Sequence, residues 1–397
     1  MQRHAERDAR PVPFGSNEVR LSPREWLCAA AILVAACWLI PVVWQRIEPF
    51  EPGPDYRVPF RLGEDYGSFA RYCRRVCAER KTLVVGDSVI WGHYVPTRET
   101  LSHHLNQLAG AAEFANLGVD GTHPAALAGL VDYYGRDISR RGVVLFFNPL
   151  WISSQTHDLR GSKEFAFNHP RLVPQFSPWI PCYKESLGGR LGIVVERHVP
   201  LFGWVTHLRT AYFGNSDLAA WTLEHPYANP VRAVTLELPS PDEPPSPPPI
   251  AEPWTAQRIE RYNPRWVDLR SSLQWQSFQS TVRILEARRN RVFVLVGPFN
   301  EHMLKEPSLK AYRRIKDEIA AWLEMEGIPH FIPAVLPSEL YADASHPLGP
   351  GYAMLARQLL ADEAFTGFRR NTGKQQDKQG LSDRSARIDF RRREGRG

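Results

Sequence analysis

Ser88 lies in the run Val84-Val85-Gly86-Asp87-Ser88-Val89-Ile90-Trp91-Gly92, where an apolar, β-branched stretch stops at Gly-Asp-Ser. A buried strand that ends this way and turns toward a helix holds a hydroxyl at the carboxyl end of a sheet, where open α/β folds bind ligands. A helix N-terminus at the same point favours developing negative charge. Far along the chain, Asp343-Ala344-Ser345-His346-Pro347 stands just ahead of the last amphipathic segment. Three-residue spacing lets the Asp343 carboxylate reach the near ring nitrogen of His346, leaving the other nitrogen to take a proton from a serine. Alone, Asp-x-x-His would more often organise a turn. Following Gly-Asp-Ser in this order, it makes Ser88, His346 and Asp343 a candidate nucleophile, base and orienting acid. Two further stretches carry donors for an oxyanion. Asn116-Leu117-Gly118-Val119-Asp120-Gly121 follows a second apolar run and Asn148 follows a third, so the Gly118 N–H and the Asn148 amide are expected to join the Ser88 N–H around a tetrahedral intermediate.

These residues need a scaffold that brings three loops to one edge. Short apolar runs at 83–85, 114–117, 143–147, 292–296 and 330–332 alternate with helical patterns at 65–80, 100–108, 125–138, 309–326 and 352–362. Alternation of this kind predicts an α/β fold, a parallel sheet covered on both faces. Residues 151–262 interrupt the pattern with an aromatic-rich, irregular stretch, read as an insertion that covers the site. Within it a Pro-rich segment, 239–253, is expected to be extended and exposed. Trp151, Trp179, Trp204 and Trp221 of the insertion are candidates for stacking on sugar rings, although tryptophan more commonly packs in a core.

Taken together, the motifs resemble the SGNH hydrolase superfamily, also called GDSL esterases. Ser88 matches the family's nucleophile, Gly118 its glycine, Asn148 its asparagine, and Asp343 with His346 its C-terminal pair. The resemblance covers about 80–150 and 290–362. Val89 replaces the leucine of GDSL, and Phe147-Asn148-Pro149-Leu150 lacks the Gly-x-Asn-Asp form of the third block. The family implies a flavodoxin-like three-layer α/β/α fold and covalent serine catalysis on acyl esters, with no cofactor and no metal.

The stretch Trp26 to Trp44, WLCAAAILVAACWLIPVVW, holds nineteen residues without a charge. At about 1.5 Å per residue it matches a hydrocarbon core of about 30 Å, with tryptophan at both interfaces. Arg3, Arg7, Arg10, Arg20 and Arg24 precede it, against Arg46, Arg57 and Arg61 after it, which favours a cytoplasmic N-terminus and an extracytoplasmic catalytic domain. A cleaved signal peptide and a lipidated Cys37 (Val34-Ala35-Ala36-Cys37) remain open and export the domain equally. The expected order is a cytoplasmic segment 1–25, a transmembrane helix 26–44, a connector 45–65, a catalytic domain 66–365 and a disordered basic tail 366–397.

The net charge of +6 resides entirely in that tail, so the body of the chain is neutral and a nucleic-acid partner is not expected. The five cysteines form no metal-ligand spacing, and a bridge from Cys73 or Cys77 to Cys182 stays undecided. With one span and an exported domain, the architecture resembles the partners of membrane-bound O-acyltransferases in polysaccharide acetylation and D-alanine transfer. The resemblance implies acyl transfer to, or removal from, a cell-surface polysaccharide, with a multi-span acyltransferase as a possible partner. The competing reading is a catalytically inactive glycan-binding partner of such an enzyme.

Overall fold

The computed structural model describes residues 21–372. Five parallel strands form one sheet: β1 (Thr82–Gly86), β2 (Phe114–Gly118), β3 (Gly142–Phe147), β4 (Arg291–Val296) and β5 (His330–Phe331), in the order β2-β1-β3-β4-β5. Register pairs Gly86 with Gly118, Val85 with Leu145, and Phe147 with Val296. Strand side chains alternate between two apolar clusters. Leu83, Val85, Val143, Leu145, Val292 and Val294 enter one. Val84, Val144, Phe146, Phe293 and Leu295 enter the other. This two-sided burial explains why the strands read as continuous apolar runs rather than alternating ones. Because β2 and β3 flank β1, the strand order reverses direction at β1, and at such a point open α/β sheets bind ligands beyond the strand's carboxyl end.

Helices α1 (Pro23–Ile47), α2 (Tyr66–Ala78), α3 (Ser88–Trp91), α4 (Leu101–Ala109) and α5 (Pro124–Gly129) lie in the first half of the chain. The helix expected over 125–138 is α5 followed by a wider turn, Leu130–Tyr134, closed by the Gly135 N–H on the Leu130 carbonyl. The expected helices at 309–326 and 352–362 are α11 (Glu306–Met325) and α12 (Gly349–Ala361). Tyr72 of α2 and Ile319 of α11 pack in the first cluster, Leu105 of α4 and Leu355 of α12 in the second.

Several expectations need correction. Residues 151–262 are not uniformly irregular, since they contain α6 (Leu187–His198), α7 (Pro200–Tyr212), α8 (Leu218–Glu224) and α9 (Pro230–Ala233). In α6 the glycines at 188, 189 and 192 mask the helix, because each costs about 1 kcal/mol relative to alanine. The Ser186 cap and the Arg190 guanidinium, which donates to the carbonyls of Gln175 and Tyr183, hold it in place. Helix α10 (Leu273–Ala287) escaped the sequence pattern altogether, its buried Trp275, Phe278, Val282 and Leu285 being interleaved with buried Gln274 and Thr281.

The Pro-rich segment is not a free spacer. Arg57 Nε donates to the Pro241 carbonyl at 3.0 Å, the Thr97 N–H to Asp242 at 2.7 Å, and Arg61 pairs with Glu243 at 2.6 Å. The start of the expected tail is also ordered. Residues 363–372 are helical, with Phe365 and Phe368 buried in the second cluster; the rest of the tail lies outside the described residues. Cys73, Cys77 and Cys182 are buried free thiols.

Helix α1 runs 25 residues, capped by Ser22 and Glu25 in a reciprocal pair, and is long and apolar enough to cross a membrane. Its far end is fastened to the rest of the molecule. Glu48, buried just past the helix, accepts from Arg71 and Tyr212 and lies 2.7 Å from His207 Nε2, whose other nitrogen sits 2.6 Å from Asp65.

Candidate active site

β1 ends at Gly86 and the chain turns at once into the short helix α3, with Ser88 as its first residue. Asp87 caps it, its Oδ1 accepting the Val89 N–H at 2.9 Å. α3 stops at Gly92, whose φ of 89° reverses the chain. The Ser88 N–H, in the opening turn, has no intrahelical partner.

The 343–347 loop arrives from the far end of the chain. Asp343 Oδ1 accepts the N–H groups of Ser345 and His346, both at 2.9 Å, so the carboxylate folds its own loop. Asn300 fixes that loop from β4's side: its side-chain amide donates to the Asp343 carbonyl at 3.1 Å and its N–H to the Ala344 carbonyl at 2.9 Å. His346 Nδ1 then lies 2.8 Å from Asp343 Oδ2, and His346 Nε2 lies 2.8 Å from Ser88 Oγ. With only carboxylate oxygens and the Ser345 hydroxyl near it, Nδ1 carries the proton and donates to Asp343. Nε2 is left to accept from the Ser88 hydroxyl. The structure thus joins Ser88, His346 and Asp343 in one hydrogen-bonded chain.

Electrostatics follow the same line. Burial raises the Asp343 carboxyl, but the adjacent imidazole and the loop N–H donors prevail and hold it well below the usual carboxylate range. For His346 burial disfavours the cation, yet the charge and hydrogen bond of Asp343 outweigh it and raise the imidazole above its ordinary value. Tyr94 Oη donates to Asp343 Oδ2 at 3.1 Å, and burial beside that carboxylate pushes the phenol up.

The two expected oxyanion donors fare differently. The Gly118 N–H is occupied, donating to the Asn116 side-chain oxygen at 2.9 Å. A Cβ on Gly118 would sit 2.3 Å from the Trp91 backbone nitrogen, so this glycine is there to let β2 and α3 touch. Beyond it, the Val119 N–H donates to the Gly86 carbonyl and the Thr122 N–H to the Val119 carbonyl. The amides of Asp120 and Gly121 have no partner among the described residues; Gly121 turns the loop with φ 72°. Asn148 is buried at the end of β3, with its amide nitrogen donating to Asp87 Oδ2 at 2.9 Å and its oxygen accepting the Leu150 N–H at 3.0 Å. One amide proton of Asn148 is therefore committed to Asp87.

Asp87, His93 and His169 had no role assigned from the sequence, and Trp151 was expected only as a residue to stack on sugars. Asp87 is buried, and burial raises its carboxyl although Trp151, Asn148 and the Val89 N–H oppose that. Trp151 Nε1 donates to Asp87 Oδ2 at 2.9 Å, which brings it, alone of the four stacking candidates, to the site. Trp204 instead packs on Trp44, Trp221 on His225, and Trp179 beneath Arg190. His93 Nδ1 lies 2.6 Å from Asp120, and its ring sits 5.6 Å from that of His346. The only prior signal for His93 was its place directly after the Gly92 reversal, which returns the chain toward Ser88. The insertion reaches this rim through His169, whose Nε2 lies 2.8 Å from the Asp120 carbonyl. No protein-family model matches the chain, and a search of curated proteins finds no match either.

Proposed function

We propose that this chain is a membrane-anchored serine enzyme of the SGNH/GDSL type. It acts on acyl esters through Ser88, His346 and Asp343, with its domain outside the cytoplasm and its N-terminus inside. The observation that carries the reading is the unbroken relay from Ser88 Oγ through His346 to Asp343, each step at 2.8 Å. The strand order and the paired clusters on the sheet's faces are consistent with a flavodoxin-like three-layer domain.

In this mechanism Ser88 Oγ adds to the ester carbonyl while His346 Nε2 takes its proton. The Ser88 N–H, a loop amide at Gly121 and the second amide proton of Asn148 receive the oxyanion. The intermediate collapses, the bond to the leaving alcohol breaks, and that oxygen takes the proton from His346. Water, or a sugar hydroxyl of a cell-surface polysaccharide, then gives its proton to His346 and attacks the acyl carbon, restoring Ser88. Anchoring near a membrane and an aromatic rim at Trp151 support transfer over hydrolysis.

A fluorophosphonate probe applied to the full-length protein in membranes tests the first half. Ser88 should be labelled, and Ser88→Ala should lose the label along with about 10⁴-fold or more of turnover on an activated acetyl ester. An unlabelled Ser88 with unchanged glycan binding would instead point to the inactive glycan-binding partner of an O-acyltransferase. Mass spectrometry of oligosaccharides incubated with an acyl donor decides between transfer and hydrolysis.

A further inference from the structure

We infer that α6 and α7 dock on the bilayer surface beside α1, seating Leu187, Leu191, Val195, Phe202 and Val205 in the interfacial layer of the leaflet from which α1 emerges. This rests on reading α1 as a membrane span.

Leu187, Leu191 and Val195 recur every four residues and so share one face of α6, and they are 67%, 50% and 48% exposed. On α7, Phe202 and Val205 are 46% and 50% exposed. Single exposed apolar residues are ordinary. Five on two successive helices, with only Val199 between them, mark a surface made for contact with something apolar.

What covers that surface follows from where α1 ends. The ring of Trp44 meets Trp204 of α7 edge-on at 5.8 Å and Tyr212 at 6.4 Å. Pro41, the one buried residue of α1, lines a cleft together with Trp44 and Gln45 of α1, Glu48 just past it, and Val199, Pro200, Gly203 and Trp204 from the α6–α7 corner. Pro41 stands three residues inside the apolar run, about 4.5 Å before Trp44 along the helix. The corner therefore touches α1 at the height where the helix leaves hydrocarbon. Glu48, His207 and Asp65 lock that height, because the charged network allows the corner neither to slide along α1 nor to swing from it. Apolar side chains of helices lying in an interface sink about 5–10 Å below the headgroups, which is within reach of a pair fixed at this level. The bilayer is the apolar phase that the same chain already holds beside these helices, and this continuity favours it over a protein partner.

The experiment uses the full chain with Cys28→Ala and Cys37→Ala, which leaves only buried thiols, reconstituted in bilayers. An environment-sensitive fluorophore is attached through Leu191→Cys in one preparation and through Leu33→Cys, in the middle of α1, in another. Docking predicts that the probe at 191 emits to the blue, loses most of its intensity in brominated lipid and resists aqueous iodide. If iodide quenches the probe at 191 while brominated lipid quenches the one at 33, docking is overturned and the span stands. A probe at 191 shielded from both quenchers means that protein covers this face, which also overturns the inference. If the probe at 33 escapes brominated lipid, α1 is not inserted and the underlying reading fails with the inference.

Discussion

Asn148 gives an amide proton to the buried carboxylate of Asp87, the residue immediately before Ser88, at 2.9 Å. The bond ties the end of β3 to the cap of α3 and so sets where Ser88 stands. Trp151 donates to the same carboxylate oxygen, which lets the two contributions be separated. Trp151→Phe removes one hydrogen bond from a buried charged group and should cost about 1.5–3 kcal/mol of stability. Asn148→Ala removes a similar bond and also the proposed oxyanion donor, so its turnover should fall about 10²–10³-fold. Chemical denaturation and ester turnover measured on both variants test this; equal losses of turnover would leave Asn148 a purely structural role.

Gly118→Ala addresses the glycine that the sequence suggested as an oxyanion donor. The added methyl would lie 2.3 Å from the Trp91 nitrogen, and backbone there has little room to yield. A loss of about 3 kcal/mol or more is expected, with the fall in activity tracking the unfolded fraction. A stable variant whose turnover is selectively abolished would restore Gly118 to the chemistry.

The reaction should switch on as pH rises, because His346 must be neutral to accept the Ser88 proton. Asp343 raises the imidazole, so the acidic limb of kcat/KM should lie above the ordinary histidine value of 6.5. Asp343→Asn removes the charge that favours the cation, so the limb should move toward lower pH while the rate drops about 10³–10⁴-fold. A pH–rate profile of the two proteins checks both shifts, and an unmoved limb would separate Asp343 from His346.

His207 offers a second titration, far from the serine. Burial opposes its charge, but its hydrogen bonds to the Asp65 and Glu48 carboxylates win and push it up to about 9. A group raised from 6.5 to about 9 on folding contributes on the order of 3 kcal/mol, present in full below pH 6.5 and lost as pH rises through 9. Thermal melts of the wild type should therefore decline between pH 7 and 10 more steeply than those of His207→Gln. Parallel curves would mean that the Glu48–His207–Asp65 bridge does not hold α1 to the domain.

Sequence patterning carried the sheet because each strand is buried on both faces and so spells an uninterrupted apolar run, as in Leu83-Val84-Val85 and Val292-Phe293-Val294. The contact between Asp343 and His346 was legible because the two residues meet within one turn of a loop. Pairings that join distant segments leave no local trace. His93 finds Asp120 across two loops, and the Asn116 side chain that occupies the neighbouring Gly118 amide is itself held by the distant Ile90 carbonyl. Helices α6 and α10 stayed hidden for another reason. Glycine in one and buried glutamine and threonine in the other blur the helical period, and packing supplies the stability that propensity does not.

Ser88 and His346 are separated by 258 positions, and the loop that supplies the base rests on Asn300, just past β4. A ribosome delivers Ser88 long before His346, so a growing chain holds the hydroxyl without the imidazole that the fold sets beside it. The hydrogen-bonded chain cannot form until the 343–347 loop has been made and meets the end of β1. Under the proposed function, the spread of the relay along the chain would hold back ester chemistry until both ends of the domain have been made and joined.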